Sequence, residues 1–279
     1  MLHGAYTARV LIWRLRMEII NMNGKKSIVD ITQTFYNSLA SQYDKFYSDW
    51  DAAVKEEASF LSGLFAEMGY DRSAHVLDCA CGIGTQAVGL ASLGYDVTAS
   101  DISEGEIAEA KKRAAANNVD IRFEQADFRA LSDVISEKFD IIIAMDNALP
   151  HMLSESDLEK AVRSITERLK TGGLFVASIR DYDLMLKERP SCSAPYVHKT
   201  EKGQRVLFQT WDWSGDNYKF IQYIIDDEET TDISRFECEY RAVRRAELTR
   251  LLTENGCRVV KWAFPEESGF YQPVVTAVK

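Results

Sequence analysis

The sequence predicts an α/β protein built on a doubly wound, mostly parallel sheet, and two observations carry that prediction. Between residues 75 and 179, short apolar runs alternate with segments of helical periodicity, the pattern of parallel strands joined by crossover helices. Between residues 205 and 241 the pattern changes to strand-like stretches, two of them joined by Ser214-Gly215-Asp216-Asn217, a hairpin signal that places an antiparallel insertion beside the parallel core.

In chain order, residues 28–68 carry helical periodicity with aromatics (Phe35, Tyr36, Tyr43, Phe46, Tyr47, then Phe60 and Phe65) and stop at Gly69. Strands are expected at 75–79, 96–100, 121–125, 139–144 and 173–179. Helices are expected at 85–93, 104–117 and 154–170, the last with Ser154 as its cap. Antiparallel strands follow at 206–213, 218–225 and 234–240, then a helix at 245–255 stopped by Gly256, then strands at 258–264 and 274–278. The parallel strands and the final pair make seven. Residues 181–241 are read as an insertion on the substrate side, because ligands of such sheets bind at the carboxyl ends of the strands. Residues 1–27 are read as an extension outside the fold: the apolar run Val10-Leu11-Ile12-Trp13 is broken by arginines and too short to span a bilayer. Met22 could be the natural start.

With 279 residues, the chain is long enough for a sizeable core. A net charge of −10 repels polyanions on average, and no dense Lys/Arg run offsets it, so neither nucleic acid nor a membrane is expected as partner. Five irregularly spaced cysteines fit a reduced, cytoplasmic protein. Cys79 and Cys81 have no partner pair at zinc-type spacing, so no metal is expected.

The segment Val76-Leu77-Asp78-Cys79-Ala80-Cys81-Gly82-Ile83-Gly84-Thr85 leaves a buried strand and enters a helix through a glycine turn. A dinucleotide fold would carry G-x-G-x-x-G here. Counting from residue 80, this chain has Ala80, Gly82 and Thr85 at those positions, and Asp78 precedes the loop. A carboxylate there repels a pyrophosphate and attracts an ammonium group, which favours S-adenosylmethionine over NAD.

This segment resembles motif I of the class I methyltransferases, with Ala80 in place of the usual first glycine. Its Asp-x-Ala-Cys-Gly-x-Gly form is similar to the glycine N-methyltransferase and glycine/sarcosine methyltransferase branch, and the resemblance runs from about residue 40 to the C-terminus. It implies a Rossmann-like fold, S-adenosylmethionine as cofactor, and a small-molecule methyl acceptor, most simply the amine of glycine or sarcosine. It assigns Asp78, Ala80, Gly82 and Gly84 to the cofactor loop. Asp101, at the end of the second strand with Ile102 beside it, suits the ribose hydroxyls, as strand-end acids do in nucleotide folds. Asp127 would meet the adenine amino group and Phe128 the ring, with loop capping a rival role for Asp127. Met145 and the stretch through His151 end the fourth strand facing the donor; the resemblance places Asn147 and His151 beside the sulfonium and acceptor, and a structural role for His151 stays open. Tyr43 is the N-terminal tyrosine that would fold over the donor and touch the acceptor.

Arg180 supplies the acceptor clue. A strand-end arginine beside the cleft grips a carboxylate in a fork, or else forms a salt bridge with Asp181 or Asp183. Two further readings stay open: methylation of another small O-, N- or C-nucleophile, and a non-catalytic S-adenosylmethionine-binding protein. A dehydrogenase is a weaker rival. A homo-oligomer is left open.

Overall fold

The computed structural model describes residues 28–279; the expected extension at 1–27 lies outside the described residues. Helix α1 (Ile28–Leu39) runs into a 3-10 turn (Ala40–Phe46) and then into helix α2 (Trp50–Glu67). The core follows as β1 (His75–Asp78), α3 (Thr85–Ser92), β2 (Asp96–Asp101), α4 (Glu104–Ala116), β3 (Arg122–Gln125), β4 (Phe139–Ala144), α5 (Glu155–Arg168) and β5 (Leu169–Ser178). The insertion comprises α6 (Tyr182–Glu188) and strands β6 (Tyr196–Lys199), β7 (Gln204–Ser214), β8 (Asn217–Asp227) and β9 (Thr231–Arg241). The chain closes with α7 (Arg245–Glu254), β10 (Val259–Ala263), α8 (Pro265–Ser268) and β11 (Val274–Val278).

The main sheet has seven strands in the order β10-β11-β5-β4-β1-β2-β3. Strands β1 to β5 are parallel, and β11 pairs antiparallel with both β5 and β10. The order reverses between β1 and β4, so their carboxyl ends open a crevice where such sheets bind ligands. Both faces are covered: along β4, Ile142 and Ala144 enter one apolar layer and Ile141 and Ile143 the other, the period of two that a doubly covered strand requires. Each fully buried isoleucine contributes roughly 1.5–3 kcal/mol.

The Rossmann-like sheet, the antiparallel insertion and the N-terminal helices all appear as expected. Ser154 caps α5 by accepting the Asp157 N–H at 3.1 Å. Three details differ. The expected helix 154–170 ends at Arg168, and β5 begins at Leu169, earlier than the residue 173 expected from its apolar run; a bulge in its pairing with β4 absorbs the polar Lys170-Thr171-Gly172 start. The insertion sheet has a fourth strand, β6, whose short and largely exposed run Tyr196–Lys199 carries no clear alternation. It also begins with a short helix, α6, capped by the Asp181 side chain on the Leu184 N–H.

Helix α1 crosses from the insertion to the core. It packs on β9 and α4, and Asn37 Oδ1 accepts hydrogen bonds from Ser103 Oγ at 2.7 Å and the Gly105 N–H at 2.9 Å. Gln33 Nε2 donates to the Ile102 carbonyl at 3.0 Å. The N-terminal segment is thereby held over the crevice.

Candidate functional site

The crevice begins at the turn after β1. The Gly82 N–H donates to Asp101 Oδ2 at 3.0 Å and the Ser103 N–H to Oδ1 at 2.9 Å, which fixes the strand-end carboxylate against the glycine loop. Gly84 starts α3 with φ 92°, and a Cβ there would lie 3.3 Å from Ala110 Cβ. This glycine lets α3 pack on α4 and does not itself line the cleft.

The cleft walls include Ala80, Gly82, Asp101, Ile102, Asp127 and Phe128 from the carboxyl ends of β1, β2 and β3 and the turns after them, and Met145 after β4 on the other side of the reversal. Of the nine residues expected to hold the cofactor, these seven share one cleft. Asp78 lies just behind it, 1% exposed. Its Oδ1 accepts the Ala80 N–H at 3.3 Å, and its Oδ2 has no partner. Burial, reinforced by Asp101 and Asp146, pushes its carboxyl up to about 8. A buried carboxyl oxygen without a donor is costly, and an ammonium group is the ligand that satisfies it. On this count the loop fits the amino group of S-adenosylmethionine. Asp127 is engaged differently: its carboxylate forms a fork with the Arg129 guanidinium, the shortest contact 2.7 Å, and accepts the Arg129 backbone N–H at 2.9 Å. Arg129 itself joins the cleft wall.

Tyr36, Tyr43 and Tyr47 close the cleft from the N-terminal segment. Trp50 Nε1 donates to Thr85 Oγ1 at 3.1 Å, tying α2 to the start of α3. The Tyr36 hydroxyl lies 2.8 Å from His151 Nε2, and the imidazole packs 4.4 Å from the Tyr240 ring. Burial lowers the His151 pKa to about 3, so the ring is neutral at physiological pH, and its Nε2 accepts the tyrosine proton when Nδ1 carries the hydrogen.

At the end of β4, Asp146 and Asn147 adopt left-handed backbone conformations, φ 55° and 69°. Two such residues in succession are strained for non-glycine side chains. The turn is held by Ser178, which receives the Asp146 N–H on Oγ at 2.8 Å and the Asn147 N–H on its carbonyl at 3.1 Å. Asn147 Oδ1 accepts the Arg180 N–H at 3.1 Å and the Tyr182 hydroxyl at 3.0 Å, while its buried Nδ2 has no partner.

Arg180 lies on the wall of a second cavity, of about 1010 Å³, which meets the cleft at Tyr36, Tyr43, Tyr47 and Asp146. Its guanidinium donates to the Tyr218 hydroxyl at 3.1 Å and Gln209 Oε1 at 2.9 Å, and stands 5.6 Å from the Trp211 ring centre. It pairs with no carboxylate among the described residues. Asp181 and Asp183, the alternative partners, are both held by Arg245.

Sequence reasoning did not single out one further cluster. Gln86 Nε2 donates to Glu57 Oε2 at 2.5 Å and to Asp146 Oδ2 at 2.7 Å, and the Tyr271 hydroxyl donates to Asp146 Oδ1 at 2.8 Å. Burial and the nearby Asp146 charge push Glu57 up to about 9; burial also raises Asp146. These residues come from four distant segments and carry no motif, so only the fold brings them together.

Residues 76–173 match the family model described as "Methyltransferase domain". The chain is similar to a glycine/sarcosine N-methyltransferase of Parasynechococcus marenigrum, 31% identical over 56% of the chain and 54% of the relative. It is similar to another from Aphanothece halophytica, 28% identical over 75% of the chain and 74% of the relative. The first match thus spans about half the relative's length. A solved S-adenosylmethionine-dependent methyltransferase from Clostridium acetobutylicum shares the fold, with TM-score 0.69 at 19% identity over 87% of this chain and 97% of that one. An amino pentose methyltransferase from Micromonospora echinaspora, solved with S-adenosylmethionine bound, has TM-score 0.67 at 14% identity over 85% of this chain and 94% of that one. The glycine loop and the strand-end acid line one crevice, with a buried carboxyl behind it, inside the stretch that matches the methyltransferase domain, and the chain is similar to S-adenosylmethionine-dependent methyltransferases and to their glycine/sarcosine N-methyltransferase branch.

Proposed function

We propose that the protein transfers the methyl group of S-adenosylmethionine to the nitrogen of an acceptor that carries both an amine and a carboxylate, glycine and sarcosine being its simplest forms. One observation carries the choice of acceptor: the Arg180 guanidinium, on the wall of the cavity beside the cleft, has hydrogen-bond partners but no carboxylate among the described residues. A guanidinium so placed binds a carboxylate in a fork.

The donor supplies a sulfonium, an electrophilic methyl and a good leaving group in one molecule, so the protein's contribution is positioning and exclusion of water, worth up to roughly 7–11 kcal/mol. In this reading Asp78 takes the donor's ammonium, Asp101 the ribose hydroxyls, and Ile102, Phe128 and Met145 the adenine side. Asp127, forked with Arg129, keeps an oxygen edge for the adenine amino group. Asn147 links the two halves of the site: it holds the Arg180 backbone through Oδ1 and keeps Nδ2 free of partners. Tyr43 bounds both cavities and offers a ring face, which attracts a sulfonium or ammonium. His151 orients the Tyr36 hydroxyl and is too weak a base to deprotonate an amine. We assign proton uptake to solvent or to Asp146, because Glu57, pushed up to about 9, already holds its proton at neutral pH.

The test is a thermal-shift and turnover panel with S-adenosylmethionine and glycine, sarcosine, dimethylglycine and unrelated amines. S-adenosylhomocysteine formed on glycine or sarcosine supports the reading. Stabilisation by the donor with turnover confined to acceptors lacking a carboxylate overturns it.

A further inference from the structure

Resting on the reading above, we infer that the preferred acceptor is an amino acid with a bulky aromatic or apolar body, not glycine itself. Three observations converge on the second cavity. Its volume, about 1010 Å³, lies at the upper end of the roughly 300–1,000 Å³ of drug-sized ligand sites, and an amino acid without a side chain would leave most of it to water. Its walls beyond Arg180 are largely aromatic and come from separate elements: Phe208 and Trp211 on β7, Tyr196 on β6, Phe60 on α2, and Phe270 and Tyr271 before β11. Phe208 is supported from behind by Tyr223, stacked at 4.8 Å, and the two wall rings Phe60 and Phe270 stack on each other at 4.9 Å.

The third observation is exposure. Tyr196 is 66% and Tyr271 62% exposed. Large rings left this open in a cavity wall gain contact area from an apolar ligand. The charged groups divide the cavity without filling it. Arg180 stands at one wall beside Asp181, which Arg245 holds; Glu57 and Asp146 stand at the edge of the donor cleft, and Asp49, Glu56 and Glu266 line the cavity as exposed acids. A carboxylate on Arg180 and an amine directed at the cleft leave the aromatic remainder for a side chain.

The experiment measures kcat/KM, as S-adenosylhomocysteine formed by the full chain, across glycine, sarcosine, alanine, leucine, phenylalanine and phenethylamine. The expected result is a rise of at least tenfold from glycine to phenylalanine. A monotonic fall from glycine to phenylalanine overturns the inference while leaving the amine-and-carboxylate reading intact. Turnover of phenethylamine equal to that of phenylalanine, both above glycine, upholds the bulky body and overturns the carboxylate reading. Failure of every acceptor with the donor bound overturns both. Two variants check the location. Ala53→Phe would fill the cavity from α2, and Tyr196→Ala would remove an exposed ring that the core does not need. Each should lower the phenylalanine-to-glycine ratio of kcat/KM about fivefold or more, and an unchanged ratio in both places the body elsewhere and overturns the assignment.

Discussion

Arg180 is the residue on which acceptor choice turns. Replacing it with alanine should leave S-adenosylmethionine affinity near wild type, because the guanidinium lines the second cavity and not the donor cleft. A charged hydrogen bond contributes about 1.5–3 kcal/mol, so loss of the fork should cost about 10²-fold or more in kcat/KM for a carboxylate acceptor. A collapse of donor affinity would make Arg180 structural instead. Asp78 offers a second test. Its carboxyl, pushed up to about 8 by burial, is largely protonated at pH 7, and a donor ammonium would pull it down. Donor binding at pH 7 should therefore release up to one proton, read by calorimetry in buffers of different ionisation enthalpy, and affinity should strengthen as pH rises from 6 towards 8. Buffer-independent heats would remove Asp78 from the ammonium site. Glu57 gives a stability signature. Its folded pKa of about 9 lies above its unfolded value near 4.3, so its contribution is present below pH 4 and is lost as pH rises through 9. Glu57→Gln should hold its Tm better than wild type between pH 5 and 9; parallel curves would mean that Glu57 titrates normally.

Elements meet in this molecule through small residues and caps. Helix α3 starts on Gly84 with φ 92°, and its packing on α4 leaves 3.3 Å to Ala110. Gly84→Ala forces a left-handed conformation costing about 1–2 kcal/mol, before any strain from Ala110. Urea unfolding should show a lower midpoint with an unchanged slope. Both capping choices and strand alternation were legible in the chain: Ser154 sits where a cap was expected, and the apolar run of β4 splits between the two layers. The fourth insertion strand was not legible, because Tyr196–Lys199 is stabilised by its pairing with β7 and not by burial of its own side chains.

At the scale of the whole molecule, donor binding in the proposed site ties the N-terminal segment to the sheet. The N-terminal tyrosines, the glycine loop and the end of β4 bound the same cleft, so a ligand that bridges them stabilises the native state by mass action. Donor at 100 times its Kd adds about 2.7 kcal/mol, a rise of about 5–10 °C in Tm for a domain of this size. No shift with saturating S-adenosylmethionine would contradict the donor site. Among the described residues no helix is long and apolar enough to cross a membrane.

By itself the sequence determined the sheet, its strand–helix alternation and seven of the nine residues expected around one cleft, which the fold brings together. Those features are local: a strand end, a glycine turn and an acid at fixed spacing act within one stretch of chain. Tertiary structure alone decided the rest. It released Arg180 from its neighbouring acids by giving them to Arg245, and it tied Asp127 to Arg129. It brought Glu57 and Asp146 to a single amide of Gln86, and it opened an aromatic cavity between elements far apart in sequence. Such contacts depend on which side chains the folded backbone places side by side, and no spacing along the chain records them.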